Sequence, residues 1–466
     1  MLASLCVLAA TASLQLGWRA GTPEPVLDAD PGFIELYWKA WENYQAAVVQ
    51  DARPALFPPR FVAPGGRVAF DEATTYPIFS RWAWRATPTS ATLDLALTSM
   101  AHAGSASEAI LASDGSSVGE ATGPPLLGLC IWSLYELTGD RRLLETRFSP
   151  AVRRHGYLLS VYEPEEGRRF VPAPFSVLPG PRGPQPQVSA EATGLLLQDA
   201  EFLRRCAAEL KVVRSERLFR QTVESEVRRL KELWHEETSS FRGRDEEGEP
   251  LEHPSLPCMW ALIGGRFQAD FARRATSPLA DTERFARLLS YPSLPKSDPA
   301  YDPASGVFPL HQYLTLRALI DNGMRNAAGY AAENMLRGYL RAAGEDLALY
   351  SEYGPDTRAA APTAIPGSTD AGFVAIAGLI EALLGFRVSA AEGEVRWNIW
   401  RRDRHGLKGL RFADNTVSLV AGERSSRAGA TVIDVECERP FTLVVTIGGG
   451  TWQKRFQAGK HVWKTG

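Results

Sequence analysis

A carboxylate set between two aromatic rings is the first feature of this chain that could support chemistry. Glu352 lies in Tyr350-Ser351-Glu352-Tyr353-Gly354-Pro355, a stretch whose Gly and Pro mark it as a loop. A positioned carboxylate transfers protons, and tyrosine rings beside it can stack on a ligand and hold the carboxylate in place. Read alone, such a glutamate is a solvated loop residue. Asp71 precedes a helical pattern that begins at Ala73. It is read either as an acceptor of two hydrogen bonds from ligand hydroxyls or, with Glu72, as a helix N-cap. His311 opens another helical pattern, as a hydrogen-bonding partner for a ligand or as a structural imidazole. Trp82 and Trp84 offer stacking faces, or core rings of an amphipathic helix. No Gly-rich phosphate loop, Ser-His-Asp signature or metal-ligand spacing accompanies them, so neither cofactor nor metal is expected.

The composition narrows the classes of partner. Of 466 residues, 45% are apolar and 23% charged, enough for a large core plus a smaller one. A net charge of -3 gives no reason to expect nucleic acid or an anionic membrane, both of which call for a basic excess. Cys6, Cys130, Cys206, Cys258 and Cys437 are widely spaced, so a disulfide framework is not expected. Leu2 to Leu16 is apolar and contains Ala10-Thr11-Ala12, which suits a signal peptide and export; an ordinary N-terminal extension and a cytoplasmic protein is the other reading.

These residues need elements to position them. From Pro31 onward apolar residues recur every three or four positions, beginning with Phe33, Leu36, Tyr37, Ala40, Tyr44 and Ala47 after Asp30-Pro31, an N-cap and an N1 proline. Further helices are predicted near 73–84, 88–102, 123–138, 141–161, 188–210, 215–235, 256–264, 281–290, 309–322, 325–342 and 371–385. Twelve helices joined alternately by short turns and long Pro/Gly-rich loops suit six hairpins in a ring, a mainly α (α/α)6 toroid over residues 31–388. The long stretches 163–187, 291–308 and 347–370 are the ones expected to line a cleft at one mouth. After Phe386 short alternating runs such as Thr431-Val432-Ile433-Asp434-Val435 predict a β-sandwich-like domain over 389–466, with 1–30 as the extension.

Several segments together resemble the glycoside hydrolase clan that contains processing α-glucosidase, trehalase and mannosylglycerate hydrolase. Gly123-Pro124-Pro125-Leu126 with Ile131-Trp132-Ser133-Leu134-Tyr135-Glu136-Leu137-Thr138-Gly139-Asp140 is similar to the clan's PP…W-x-x-YE-x-TGD helix. Pro292 to Asp302 resembles its loop before an aromatic-Arg-Gly motif, and Leu349 to Thr357 its E-x-Y-x-P-x-T segment. Phe70-Asp71 falls where the clan has Trp-Asp, and Ala377 to Gly385 looks like its final toroid helix.

The resemblance implies inverting hydrolysis of a small α-linked glycoside, with Glu352 as general base and Asp71 on sugar hydroxyls; Tyr350, Tyr353 and His311 are further candidates for contact with the sugar. Inversion needs a second carboxyl, the acid, about 6.5–9.5 Å from the base. The clan carries that acid in a loop before the helix that here begins near Val188, yet no Asp or Glu occurs from Arg168 through Ser189. Glu191 is the nearest downstream carboxyl, read as serving the first turn of its helix. Gly306-Val307-Phe308-Pro309-Leu310-His311 also lacks the clan's Trp and Arg. A glycan-binding toroid that has lost catalysis is therefore the alternative. A lyase fits less well, because the candidate loops concentrate no Arg/His/Tyr set for a uronate.

Overall fold

The computed structural model of the chain describes residues 18–50, 58, 60–64, 67, 68, 70–102, 109–112, 117–120, 126–165, 168, 169, 188–252, 254–427 and 429–465. Its helical part consists of α1 (Pro31–Ala46), α2 (Phe70–Ser80), α3 (Thr89–His102), α4 (Leu127–Thr138), α5 (Arg141–Tyr162), α6 (Ala190–Leu210), α7 (Val213–Glu232), a 3₁₀ segment (Leu256–Leu262), α8 (Ala269–Thr276), α9 (Pro309–Asp321), α10 (Arg325–Ala343) and α11 (Thr369–Ala377), which continues as a π turn (Gly378–Leu383).

Two kinds of helix alternate along the chain. α6 is buried on every side through Leu203, including Leu195, Leu196, Leu197 and Phe202. α7 buries only Phe219, Val223, Glu226 and Leu230, a stripe at three- and four-residue spacing. The first kind is an inner element and the second covers it. Packing neighbours among the inner elements run α2, α4, α6, the 3₁₀ segment, α9, α11 and back to α2, so the inner layer closes on itself. α1, α3, α5, α7 and α10 lie outside it, against α11, α2, α6, α6 and the π turn.

The connections fix which end of this layer is which. Short turns leave the inner elements: Gly139 and Asp140 after α4, Lys211 and Val212 after α6, Asn322 to Met324 after α9. Gly139 takes a left-handed backbone, and the Asp140 side chain accepts from Arg142 N at 2.9 Å to start α5. Every long connection, including 163–189, 277–308 and 344–368, enters an inner element instead. Paired contacts keep the inner elements running the same way. Gly194 meets Ala261 while Glu201 meets Gly264, and Trp260 meets His311 while Gly265 meets Asp321. The long connections therefore enter at the end where the inner helices begin, which is the mouth.

The short-turn end carries the C-terminal strands, which are β2 (Phe386–Ser389), β3 (Glu394–Asn398), β4 (His405–Phe412), β5 (Asn415–Ala421), β6 (Thr431–Cys437), β7 (Phe441–Ile447), β8 (Gly450–Phe456) and β9 (Gly459–Thr465); β1 (Glu24–Leu27) joins them from the N-terminal side. One sheet has the order β1, β4, β5, β6, β9. The other runs β8, β7, β3, β2, with β3 and β7 parallel. Alternate residues of β6 and β7 are buried, as expected of sheets with one covered face. Ala390 N donates to Glu136 O at 2.7 Å and Ala413 N to Leu137 O at 2.9 Å, seating the sheets on the last turn of α4.

Three expectations change. The helix expected near 281–290 is absent: that stretch is turns, and the helix lies at Ala269–Thr276, because the prolines at 292, 295 and 299 belong to an irregular loop that begins earlier. Asp30 stands at the N-cap of α1 but caps nothing with its side chain; its carboxylate pairs with Arg401 at 2.6 Å and Arg337 at 3.1 Å. Residues 18–30, expected in an extension, contribute β1 to the C-terminal sheet. The candidate signal peptide, Leu2 to Ala12, lies outside the described residues.

Candidate active site

Two of the connections at the mouth are tied together around Glu352. Val307 and Tyr353 exchange backbone hydrogen bonds of 3.0 Å in both directions. Asp356 N donates to Pro303 O at 3.1 Å, and Leu289 N to Pro355 O at 2.8 Å. Asp356 in turn accepts from Arg287 Nε and from the Tyr301 hydroxyl, each at 2.8 Å. Against this frame Glu352 is partly buried, and its Oε1 accepts from Gly306 N at 2.7 Å and from the Ser305 hydroxyl. Gly306 has φ +100, a conformation that favours glycine. The turn-forming run Asp302-Pro303-Ala304-Ser305-Gly306 was the sequence signal for these two donors, which the reading of single residues missed.

The two tyrosines separate in role. Tyr353 is fully buried, its ring stacked on Tyr339 at 4.5 Å, and its hydroxyl oxygen accepts from Tyr350 N at 3.0 Å. Its expected part as a sugar platform is corrected on that ground, and its place is that of a post under the loop. Tyr350 is partly buried and edge-on to Tyr353 at 6.2 Å. His311 is buried in the first turn of α9, with Nδ1 2.7 Å from Ser293 Oγ and its ring edge-on to Trp260 at 5.1 Å. A buried imidazole so held braces the 291–308 loop against the inner layer, which departs from the sugar contact expected of it. Asp71 falls in the first turn of α2, at the mouth end; its side chain lies outside the described residues.

Beneath the site the barrel is closed by charge. Glu381, on the π turn, accepts from Arg81 at 2.7 Å, the Trp82 indole at 3.2 Å and the Tyr313 hydroxyl at 3.3 Å. Arg317 lies 3.9 Å from Glu381 and donates to Asp321 at 3.0 Å, and Arg387 of β2 reaches Asp321 at 3.2 Å. Burial works against ionisation of Asp321, yet Arg317 and Arg387 hold its carboxyl below the usual range. Arg81, Trp82, Glu381 and Asp321 lie at the far ends of the inner helices, and Tyr313 and Arg317 reach them from within α9. Trp82 belongs to this floor, and Trp84 lies just past it with Arg85 over its ring.

Glu191 is the surprise of the mouth. It occupies the first turn of α6 behind the cap made by Ser189 Oγ to Ala192 N, but it is not a solvated partner of the helix dipole. It is 7% exposed, its Oε1 is buried with no hydrogen-bond partner, and burial alone pushes its carboxyl up to about 7. Its burial, invisible in the linear sequence, explains the difference. The stretch where the clan's acid is expected, Leu178 to Gln187, lies outside the described residues. Among the described residues no group of three or more His, Cys, Asp or Glu side chains could hold a metal, and no helix is long and apolar enough to cross a membrane.

The fold of this chain is that of glycoside hydrolase toroids. Solved structures with this fold include a sialidase (TM-score 0.67, 10% identity, 92% of this chain and 40% of the sialidase). A GH63 mannosylglycerate hydrolase from Thermus thermophilus, in complex with glucose, matches with a TM-score of 0.53 at 15% identity over 74% of this chain and 99% of its own. An α-L-rhamnosidase from Aspergillus terreus matches at 0.60 and 12% identity, over 95% of this chain and 50% of its own. This chain thus spans less than half of the sialidase and half of the rhamnosidase. No protein-family model and no curated protein sequence matches it.

Proposed function

We propose that the protein is an inverting glycoside hydrolase, an (α/α)6 toroid acting on a small α-linked glycoside or oligosaccharide, with Glu352 as its general base. The observation that carries this reading is the carboxylate of Glu352, held by Gly306 N and Ser305 Oγ between two braced loops at the mouth. With Oε1 engaged, Oε2 is the oxygen that takes a proton from water as the water attacks the anomeric carbon. Tyr350 and Asp71 are the residues we assign to the sugar, from their places at the same mouth; Tyr353 and His311 hold the loops. The fold shared with the sialidase, the mannosylglycerate hydrolase and the rhamnosidase supports a sugar ligand.

A screen of α-glucosides, α-mannosides, α-rhamnosides, trehalose and mannosylglycerate for released reducing sugar, alongside ligand-induced thermal shift, tests it. Glu352→Gln is expected to lower kcat by roughly 10²–10⁴-fold and leave the sugar-induced shift intact. The second reading, a toroid that binds glycans without cleaving them, draws on the run without Asp or Glu from Arg168 to Ser189. A thermal shift with no turnover in the wild-type protein selects it.

A further inference from the structure

We infer that Glu191 is the proton donor of this site, standing in for the acid that the preceding loop does not supply; the assignment rests on the hydrolase reading above. Three observations converge on it. First, Glu191 and Glu352 hang from one hydrogen-bonded rim. Glu191 acts electrostatically on Cys258 of the 3₁₀ segment; in that segment Leu256 N donates to Ser293 O at 2.8 Å, Ser293 N to Gly306 O at 2.8 Å, and Gly306 N to Glu352 Oε1 at 2.7 Å. The two carboxyls thus belong to entries on opposite sides of the inner layer, into α6 and α11, at the same end, as an acid and a base that flank a bound sugar must. Second, Oε1 of Glu191 is a buried acceptor left without a partner, a condition that costs free energy and is uncommon unless a function retains it. Third, the titratable groups that feel the Glu191 carboxyl are Tyr162 from α5 and Cys258; burial pushes the thiol up to about 12 and raises the phenol as well. Neither carries charge at neutral pH; the buried Arg154 and Asp199 act on the Tyr162 phenol, while the Glu191 carboxyl is shifted by burial alone.

A donor must hold its proton at working pH, and burial keeps the Glu191 carboxyl protonated up to about 7. In the step, Glu191 gives its proton to the glycosidic oxygen as the bond from that oxygen to the anomeric carbon breaks. Water forms the new bond to that carbon and yields a proton to Glu352. One glycoside and one water become two hydroxyl products, and exchange with solvent returns each carboxyl to its starting state.

The test compares 2,4-dinitrophenyl and methyl α-glycosides of glucose, mannose and rhamnose. A dinitrophenolate leaves without help, whereas methoxide needs the proton. Glu191→Gln is expected to lose roughly 10²–10⁴-fold on the methyl glycoside and only a few-fold on the dinitrophenyl one, while Glu352→Gln loses on both. In the wild-type protein, which requires no variant to fold, kcat for the methyl glycoside falls above about pH 7 and kcat for the dinitrophenyl glycoside does not. Equal losses on both substrates in Glu191→Gln, or the same alkaline limb for both in the wild type, overturn the assignment. An active Glu352→Gln removes the base and leaves the donor standing. A wild-type protein that cleaves neither glycoside overturns both.

Discussion

At the scale of single residues, the carboxyls at the mouth and at the floor are treated oppositely by their surroundings. Glu381 and Asp321 are buried against arginines, and removing one partner of such a pair strands a charge. Glu191 is shifted by burial alone and stays protonated to about 7. That difference has a sign in stability. The folded protein holds the Glu191 proton up to about 7, while the unfolded chain releases it near the ordinary glutamate value of about 4.3. Between these two values the native state binds the extra proton, so stability falls as pH rises across that window, and the loss is complete above about 7. Glu191→Gln is therefore expected to be more stable than the wild type at pH 8, by up to about 4 kcal/mol, with the gap closing toward about pH 4; calorimetry across that range checks it.

At the scale of elements, the site depends on how two irregular connections are pinned. Neither is a helix or strand. Their rigidity comes from the Val307–Tyr353 exchange, the Asp356 contacts and the Tyr353 ring stacked on Tyr339 of α10. Gly306 is the joint, because its positive φ aims its N–H at Glu352. Gly306→Ala puts a side chain where the backbone is strained by about 1–3 kcal/mol. The expected outcome is a modest fall in Tm and a fall in kcat of about 10²-fold with KM little changed, since the base is displaced and the sugar contacts are not. Equal loss in Gly306→Ala and Glu352→Gln in the same assay would identify misplacement of the base as the whole effect.

For the whole molecule, the helical layer and the sheets are fastened by both chain ends. β1 pairs with β4 before the chain enters α1, and Asp30, between β1 and α1, binds Arg337 of α10 and Arg401 just past β3. Val26 and Leu27 are buried there, each contributing about 1.5–3 kcal/mol by leaving water. Removing residues through Asp28 is expected to lower Tm by several degrees and to bare the β4 edge, seen as concentration-dependent association in size-exclusion chromatography. The floor network adds a second fastening, since Arg387 of β2 reaches Asp321 of α9.

The sequence by itself determined the alternation of helices, the run of strands after Phe386 and the loops that carry Glu352, because hydrophobic period, proline and glycine act on the chain locally. It also carried the likeness to the glycosidase clan, through ordered short motifs. Tertiary structure alone decided the environments. Tyr353 became a buried post and His311 a brace because neighbours distant in sequence, Tyr339 and Ser293, cover them. Glu381 gained arginines on its way to the floor, and β1 found a partner nearly four hundred residues along the chain. Glu191 looked like an ordinary first-turn acid until packing removed its water. Whether a carboxyl is solvated, paired or held neutral is set by what surrounds it in space, and no local pattern records that.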